Sequence, residues 1–468
     1  VVISFLLFLN VNNLFCLCGT KKSDKIIHIK HIKKDVVVYM KYFGTDGMRG
    51  IPNIKLTVDI VSRIGAALES LNNKDVVLAT DTRLSKDMLA NAITAGALSH
   101  GMNVHYVGVI PTPALIYYSR VKGYTGVMIT ASHNPYTDNG IKLLNRGFKL
   151  TDEEEARVEE LMDNPINYTG EIGTLIDESK PLFDYLSFIE KHIVHSNLKI
   201  AIDCANGATF NTAPQVFSKV TDNLVVVANT PNGTNINNGC GSTHLELLKK
   251  TVVENKCDIG FAFDGDGDRV LCVDSDGNTV DGDMLIYLIA KYLKNKNKLN
   301  KDTIALSMMS NLGLLHKLDA EGIKVIETPV GDKYIARALK EHNLSVGGEN
   351  SGHIIVPDVL HTGDGVLNAI LVINLLTETN TTISDWFKDL HMYADKMVNV
   401  KVNDKAKVLN NEDLFKRIEE IKSELNNDCK IIVRASGTED LIRVSVMCKD
   451  INIMEKYSLE LVEMVKSI

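Results

Sequence analysis

The feature that most constrains the fold is a unit that occurs three times, in which a short apolar strand ends in polar, turn-forming residues and leads into a helix. The three copies span residues 76–83, 200–207 and 304–313. They recur at intervals of roughly 100 residues, which is the size of a small domain. Strands that alternate with amphipathic helices favour mixed, largely parallel sheets covered by helices. We therefore predict three similar α/β domains in tandem.

Domain boundaries are expected where polar residues interrupt this pattern. A chain of 468 residues with 45% hydrophobic content can fill several cores. Thr151, followed by four acidic residues, has the signature of a helix N-terminus, and a polar stretch at 164–180 comes after that helix. Further breaks are expected near 281–283 and 392–396. The predicted division is α/β domain I at 40–181, α/β domain II at 182–281, α/β domain III at 282–393 and a smaller α+β domain IV at 394–468.

The first 39 residues differ from the rest of the chain. The apolar run 1–18 is too short to span a bilayer and has no basic residues ahead of it, and the lysine-rich stretch 21–34 follows it. Neither strand nor helix periodicity of useful length is present. We expect residues 1–39 to be upstream sequence or a disordered extension, with the fold beginning at Met40.

Composition narrows the classes of partner. The net charge is −8, and no basic patch interleaved with aromatic residues is present, so no nucleic-acid partner is expected. No membrane partner is expected either. The eight cysteines form no CxxC pair and have no histidine at zinc spacing. This usage fits a reducing cytoplasm.

An acidic loop follows the apolar stretch 258–263. Asp264, Asp266 and Asp268 alternate with glycines and precede Arg269. Three carboxylates this close repel one another unless a cation lies among them, and oxygen ligands favour Mg²⁺ or Ca²⁺. A calcium EF-hand would need glycine and glutamate where the chain has Arg269 and Ser275. A single Asp-Gly pair would be typical of a solvated turn, but three in register predict a divalent-metal loop.

A serine loop follows another apolar strand. Ser132, His133 and Asn134 come at the end of this strand, and Lys142 is expected on the next strand. Taken alone, Ser-His-Asn-Pro is also typical of an ordinary turn. The Gly-x-Ser-x-Gly elbow of serine hydrolases is absent. The loop therefore offers a hydroxyl and an imidazole without predicting a hydrolase.

Two further loops carry polar groups that suit a phosphorylated sugar. In the glycine-rich segment 347–353, Glu349 can accept hydrogen bonds from two neighbouring hydroxyls, with Ser351 and His353 beside it. A glycine-rich connection with no ligand is the alternative. The second loop combines arginines, hydroxyls and free backbone N–H groups, as a phosphate cradle does, although it is equally compatible with an ordinary turn. Its residues are Arg434, Ser436, Gly437 and Thr438, with Arg443 on the following strand.

Together these segments identify the chain as a member of the α-D-phosphohexomutases by resemblance. The resemblance runs from Lys41 to the C-terminus, and two positions depart from the family pattern, Ala435 and Asp440, where proline is common. It implies four domains around a central cleft. The matching motifs span 43–50, 131–142, 264–269, 348–353 and 434–439.

The resemblance also implies roles for the site residues. Ser132 would carry a phosphoryl group, and one Mg²⁺ per chain would lie between this phosphate and the three aspartates. Lys142 is favoured as the acid/base group, with a pKa depressed by nearby cations. A glucosamine or glucose 1,6-bisphosphate would serve as activator. The implied catalytic set is Ser132, Lys142, His133, Arg49 and Arg269; the metal set is Ser132, Asp264, Asp266 and Asp268; the substrate set is Glu349, Ser351, His353, Arg434, Ser436, Gly437, Thr438 and Arg443.

Finer features resemble the branch of the family that acts on glucosamine phosphates, and this resemblance implies such a small-molecule substrate. These are Tyr136 and the residues after it, the polar Asn350, and the segment 362–365. Glucose or mannose phosphates, a non-catalytic sugar-phosphate binding protein and a metal-dependent hydrolase remain as alternatives. A homodimer also remains open. The expected reaction interconverts the 6-phosphate and the 1-phosphate, a precursor step for UDP-N-acetylglucosamine and the cell wall.

Overall fold

A computed structural model of the chain describes residues 41–44, 46–164, 170–178, 180–436 and 441–468. The expectations for residues 1–39, Gly437, Thr438 and Asp440 lie outside these residues. The described chain separates into two compact units, one ending at His391 and the other spanning Met392–Ile468. The first unit contains three α/β sheets and the second an antiparallel sheet, as predicted.

The first sheet of the larger unit has the strand order β1-β5-β4-β2-β3-β7, with β6 paired to β5. Strands β2, β3, β4 and β7 run parallel to one another, whereas β5 is antiparallel to β1, β4 and β6. The strands are β1 Met48–Gly50, β2 Asp75–Thr80, β3 Asn103–Val109, β4 Thr125–Ile129, β5 Asn139–Asn145, β6 Phe148–Lys149 and β7 Leu175–Asp177; the helices are α1 Val58–Ala67, α2 Lys86–Leu98, α3 Thr112–Lys122 and α4 Asp152–Asp163.

This sheet tests the predictions for Thr151 and for the polar stretch 164–180. Thr151 caps α4, and the hydroxyl of Thr151 and the carboxylate of Glu154 form a reciprocal capping box, as the sequence predicts. The polar stretch 164–180, expected to be a separator, instead contributes β7, which pairs with β3 at the sheet edge. Main-chain hydrogen bonds make this pairing, and all three side chains of β7 are exposed. The sequence therefore shows no alternation of buried and exposed residues from which a strand could be predicted.

The second sheet has the order β12-β11-β10-β8-β9, in which β8, β9 and β10 are parallel. Its apolar core contains Leu248, Val252 and Val273. The strands are β8 Ile200–Asp203, β9 Leu224–Val227, β10 Ile259–Phe263, β11 Val270–Asp274 and β12 Thr279–Val280; the helices are α5 Lys180–Glu190, α6 Thr212–Val220 and α7 Glu246–Asn255.

The third sheet has the order β14-β13-β15-β16, and β13 is parallel to both of its neighbours. Ile335 and Leu339 of the helix α10 pack against this sheet. The strands are β13 Thr303–Ser307, β14 Lys324–Thr328, β15 Gly347–Gly348 and β16 Ile354–Ile355; the helices are α8 Gly282–Asn295, α9 Leu312–Ala320, α10 Asp332–His342 and α11 Gly365–Thr379.

The smaller unit has its own core around the antiparallel sheet β17-β19-β18. Ile421, Val444 and Leu461 are fully buried there. Arg434, predicted to begin a turn, is still in strand β18, which extends to Ala435. The strands are β17 Ala394–Lys401, β18 Cys429–Ala435 and β19 Leu441–Cys448; the helices are α12 Lys405–Leu409, α13 Glu412–Glu424 and α14 Ile451–Ser467.

Two further observations concern the described part of the chain. No helix in it has both the length and the apolar character needed to cross a bilayer. The six cysteines within it are all buried and free.

Candidate active site

The serine loop begins where β4 ends, and Ser132 is held in an unusual backbone conformation. Its φ of +52° lies in the left-handed region, which is uncommon for a residue with a side chain. Ser132 is 1% exposed, and its Oγ donates to Asp264 Oδ2 at 2.6 Å. The backbone N–H of Ser132 donates to Thr130 Oγ1 at 2.9 Å. The loop is thus fixed with its hydroxyl facing the acidic loop.

Arg83, which was not among the site residues predicted from the sequence, donates hydrogen bonds to this loop from a buried position. Arg83 is fully buried and pairs with Asp81 at 2.8 Å. Its guanidinium donates to the carbonyl oxygens of Ser132 at 2.9 Å and Asn134 at 2.8 Å, and to two further carbonyls of the same loop. Asn237 Nδ2 also donates to Ser132 O, at 2.9 Å. The Asp-Thr-Arg sequence at the end of β2 was the available signal, since a charged pair following a buried strand needs partners.

The three aspartates follow β10 directly, as predicted, and converge. Asp264, Asp266 and Asp268 are buried, and one carboxylate oxygen from each lies within 4.8 Å of the others. Asp266 Oδ2 accepts from Thr112 Oγ1 at 2.6 Å. The Oδ1 atoms of Asp266 and Asp268 have no hydrogen-bond partner among the described residues. Buried acceptors without donors, in an all-oxygen set, fit a hard divalent cation.

Glycine allows the acidic loop to approach the serine loop closely. A Cβ atom on Gly265 would lie 2.3 Å from the carbonyl oxygen of Ser132. The approach therefore requires a residue without a side chain at this position. Gly265 thus permits the contact between the two loops, in addition to the tight turn that the sequence suggested.

The carboxylates of the acidic loop have unlike environments. Burial and the neighbouring Asp268 and Asp266 raise the pKa of Asp264 well above its ordinary value. Burial would also raise the pKa of Asp268, but Lys142 and His353 hold it well below the ordinary range. The loop therefore combines a carboxyl that resists ionisation with one that is firmly ionised, and a bound cation would relieve the repulsion on the first.

Lys142 lies on β5, as expected, but its electrostatic environment is the reverse of the predicted one. Its Nζ lies 2.9 Å from Asp266, 3.2 Å from Asp46 and 3.6 Å from Asp268. Burial would lower the pKa of Lys142, yet these three carboxylates raise it well above its ordinary value. The expected depression by nearby cations is wrong for this structure, because the carboxylates outweigh Arg49.

The remaining cations surround His133. Arg269 Nη1 donates to His133 Nδ1 at 3.2 Å, and the same Nδ1 lies 3.4 Å from Ser132 Oγ. Burial, followed by Arg269 and Arg49, lowers the pKa of His133 to about 4. Arg49 lies on β1 and donates to Asp46 at 2.5 Å. The structure thus brings all five predicted catalytic residues to one place, with His133 neutral near pH 7.

The sugar loop, which comprises residues 349–353 of the glycine-rich segment, follows β15 in the third sheet. Glu349 is 8% exposed, and its Oε1 accepts from the N–H of Gly331 at 3.0 Å. Ser351 Oγ has no hydrogen-bond partner among the described residues. His353 Nδ1 lies 3.6 Å from Asp268. Burial would lower the pKa of His353, but Asp268, Asp332 and Glu349 raise it.

The predicted phosphate cradle belongs to the smaller unit. Arg434 on β18 lies directly opposite Arg443 on β19. Like charges opposite each other in a sheet repel, so an anion between them would be favourable. Arg443 Nε and Ser436 Oγ have no hydrogen-bond partner among the described residues. The other two residues of the predicted cradle, Gly437 and Thr438, lie outside the described chain.

Four family models match the chain in consecutive order. Their descriptions are phosphoglucomutase/phosphomannomutase alpha/beta/alpha domain I, domain II and domain III, and phosphoglucomutase/phosphomannomutase C-terminal domain. They match residues 40–169, 182–277, 281–393 and 397–464, respectively.

Individual relatives resemble the chain over nearly its whole length. The phosphoglucosamine mutase of Bacillus licheniformis is 42% identical over 441 residues, which cover 91% of this chain and 98% of that protein. A crystal structure of a phosphoglucomutase/phosphomannomutase family protein from Burkholderia thailandensis matches with a TM-score of 0.76 at 21% identity, covering 90% of this chain and 97% of that one. The Aspergillus fumigatus N-acetylphosphoglucosamine mutase, solved with GlcNAc-6P and magnesium, matches with a TM-score of 0.66 at 17% identity, covering 92% and 96%.

Proposed function

Because the chain belongs to the phosphoglucomutase/phosphomannomutase family, we propose that it is an isomerase that interconverts glucosamine 6-phosphate and glucosamine 1-phosphate. The observation that carries the proposal is the contact between Ser132 Oγ and Asp264 Oδ2, at 2.6 Å within a buried acidic loop. A hydroxyl fixed beside a cation-binding set suits phosphoryl transfer. The 42% identity to a phosphoglucosamine mutase supports the choice of the amino sugar.

Ser132 is proposed to alternate between a phosphorylated and a free form. The O1 hydroxyl of glucosamine 6-phosphate attacks the phosphorus on Ser132, the Oγ–P bond breaks, and the proton leaves O1. The product is a 1,6-bisphosphate. After this intermediate turns over, Ser132 Oγ attacks the 6-phosphoryl group, the O6–P bond breaks, O6 takes up a proton, and glucosamine 1-phosphate leaves. A trace of glucosamine or glucose 1,6-bisphosphate would restore enzyme that has lost its phosphoryl group.

The acidic loop is proposed to hold one Mg²⁺ together with the phosphate on Ser132. When bound, Mg²⁺ would neutralise negative charge on the transferring phosphoryl group. Asp264, Asp266 and Asp268 would be its protein ligands, which the two acceptors without hydrogen-bond partners support. Lys142 is proposed to accept or return the proton of the sugar hydroxyl. The raised pKa of Lys142 means that it carries a proton beside the acidic loop, which it could return to the sugar hydroxyl.

The sugar loop and the cradle are proposed to grip the substrate in both poses. Glu349 and Ser351 would bind the vicinal hydroxyls at O3 and O4, which stay near the axis about which the intermediate turns. The arginines and Ser436 would bind whichever phosphate is distant from Ser132, with Gly437 and Thr438 completing the cradle. His133, Arg49 and Arg269 would stabilise charge, and His353 would contact sugar or phosphate.

We also propose the domain boundaries and the cellular location of the protein. The domain boundaries are proposed at 181/182, 281/282 and 393/394, with the fold beginning at Met40. A cytoplasmic location is proposed because the six described cysteines are free thiols.

A comparison of substrates tests the function. Purified protein is incubated with Mg²⁺ and a trace of glucose 1,6-bisphosphate, and kcat/KM is measured for glucosamine, glucose and mannose 6-phosphates. We expect a clear preference for glucosamine 6-phosphate. Preference for glucose or mannose would move the chain to another branch of the family, release of inorganic phosphate without isomer would indicate a hydrolase, and binding without turnover would indicate a sugar-phosphate binding protein.

A further inference from the structure

A chain of ion pairs that the proposed reaction does not use extends away from Lys142. Lys142 Nζ lies 3.2 Å from Asp46, whose other oxygen lies 2.7 Å from Lys149 Nζ. Lys149 Nζ in turn lies 2.5 Å from Asp332 Oδ2. We name Lys142, Asp46, Lys149 and Asp332 the ionic chain. Its members alternate in charge, so each contact is attractive.

Both ends of the ionic chain return to the acidic loop. At one end, Lys142 contacts Asp266 and Asp268. At the other end, Asp332 Oδ2 lies 3.8 Å from His353 Nε2, and Nδ1 of the same imidazole lies 3.6 Å from Asp268. The chain of charges therefore connects the acid/base candidate with the sugar loop by a route that does not pass through Ser132.

The ionic chain also joins two sheets that are remote in sequence. Lys149 ends β6 in the first sheet, whereas Asp332 begins α10 beside the third sheet. The same two regions make a second ion pair, between Lys333 and Asp152 at 3.2 Å. Asp152 is 61% exposed, and Lys142 forms its ion pairs with other carboxylates. It is a matched comparison for the first pair.

A small cavity lies beside the ionic chain. All four of its members line a partly open cavity of about 30 Å³, together with Asp268. This volume suits about one water molecule. Lys149, in the middle of the chain, forms its ion pairs with Asp46 and Asp332, so it acts on Lys142 through Asp46.

Charge balance indicates what Lys149 does. Asp46 is shared among Lys142, Lys149 and Arg49. Without the ammonium of Lys149, the carboxylate of Asp46 would draw Lys142 more strongly, and so away from Asp266. Asp332 would likewise lose its nearest cation. Removal of one member of a partly buried ionic network leaves its partners to rearrange, since they cannot regain full hydration.

We propose that Lys149 is a positioning residue: by joining Asp46 to Asp332 it fixes the Lys142 ammonium beside the acidic loop and ties the first α/β domain to the third. The role of Lys142 as the acid/base group rests on the proposed function. The tie between the two domains and the placement of the ammonium do not depend on that function.

The kinetic test compares three substitutions in the full chain. Lys149→Met removes the charge and keeps the length, Lys149→Arg keeps the charge, and Lys333→Met removes the second ion pair. We expect Lys149→Met to lower kcat roughly 10- to 100-fold with little change in KM, because a displacement near 1 Å of a reacting group has this effect. Lys149→Arg should restore most of kcat, and Lys333→Met should leave it unchanged.

Two results would overturn the proposal: wild-type kcat in Lys149→Met, or an equal loss in Lys333→Met. If Lys149→Met does not fold, Asp332→Asn breaks the same link from the other side and is judged by the same criteria. If the wild-type protein isomerises no hexose phosphate, the proposed function fails by itself. A crystal structure of Lys149→Met then decides the inference: Lys142 displaced from Asp266 supports it, and an unmoved Lys142 contradicts it.

Discussion

At the scale of single residues, the candidate chemistry depends on how firmly one serine is held. Ser132 combines a left-handed backbone conformation with a buried hydroxyl that donates to Asp264. Arg83 and Asn237 hold the carbonyl oxygens of the same loop. The strain of the conformation is thus offset by donors that do not take part in the reaction.

Substitution of the serine separates phosphoryl transfer from binding. In Ser132→Ala we expect loss of the phosphoenzyme and of mutase activity, because no hydroxyl remains to carry the phosphoryl group. Intact-mass analysis after incubation with glucose 1,6-bisphosphate measures the phosphoenzyme directly. Ser119→Ala is a suitable control, since Ser119 is buried on α3 and its hydroxyl bonds to the backbone groups of Tyr124 and Gly147. Mutase activity at the wild-type level in Ser132→Ala would refute the mechanism.

The guanidinium of Arg83 is expected to be irreplaceable by another cation. Arg83→Lys keeps the charge beside Asp81 but loses the planar fork that reaches several carbonyl oxygens. We expect the free energy of unfolding to fall by about 2–4 kcal/mol and kcat to fall with it. Urea denaturation measures the first effect. Arg63→Lys, on the surface of α1, is the control and should change stability by less than about 0.5 kcal/mol.

At the scale of elements, the site is assembled from the ends of strands and the starts of helices. The serine loop follows β4 and the acidic loop follows β10. Asp364 caps α11, where it accepts from the N–H of Leu367 at 3.0 Å and from the hydroxyl of Tyr185 at 2.9 Å. In the sequence, the segment 362–365 indicated only a substrate preference. In the structure, this segment begins the buried helix α11 beside the acidic loop.

The cap of α11 should make stability depend on pH. Burial raises the pKa of Asp364 to about 7 from an ordinary value of 3.8. The native state therefore retains a proton that the unfolded state loses first, so the stabilisation is complete below about pH 3.8 and is lost as the pH rises through 7. Its size is roughly 1.4 kcal/mol for each unit of pKa difference.

Asp364→Asn tests this dependence, because asparagine keeps an acceptor for Leu367 and does not titrate. Between pH 4 and pH 7 we expect the wild-type free energy of unfolding to fall relative to that of Asp364→Asn. Chemical denaturation at several pH values gives both curves. Parallel curves would show that the carboxyl of Asp364 titrates normally in the native protein.

At the scale of the whole molecule, the described chain comprises two compact units, and the smaller one has the marks of an independent domain. Its three strands and its helices enclose a separate apolar core. A core of this kind permits folding alone, although a domain of this size is only moderately stable.

We expect the fragment 392–468 to unfold cooperatively when it is expressed by itself. Within this fragment, Leu461→Ala should lower the free energy of unfolding by about 2–5 kcal/mol, because Leu461 is fully buried. Leu459→Ala on the same helix should have little effect, because Leu459 is 60% exposed. Thermal unfolding followed by circular dichroism measures all three proteins. A fragment without a cooperative transition would show that the smaller unit depends on the rest of the chain.

The amino-acid sequence by itself determined the fold class and most of the candidate site. Strand and helix periodicity is local, and so are the Asp-Gly alternation after β10, the serine loop after β4 and the cap at Thr151. Such features depend on neighbouring residues and can be read without a structure. The family motifs were equally local, and the family models match in the expected order.

Only the tertiary structure decided which charges meet. Ser132 and Asp264 are 132 positions apart, and the carboxylates that reverse the expected pKa of Lys142 come from two distant segments. The support of Arg83 for the serine loop and the link from Lys149 to Asp332 are equally remote in sequence. A pKa or an ionic network sums over every charge within a few ångströms, and that distance is set by packing, not by position along the chain.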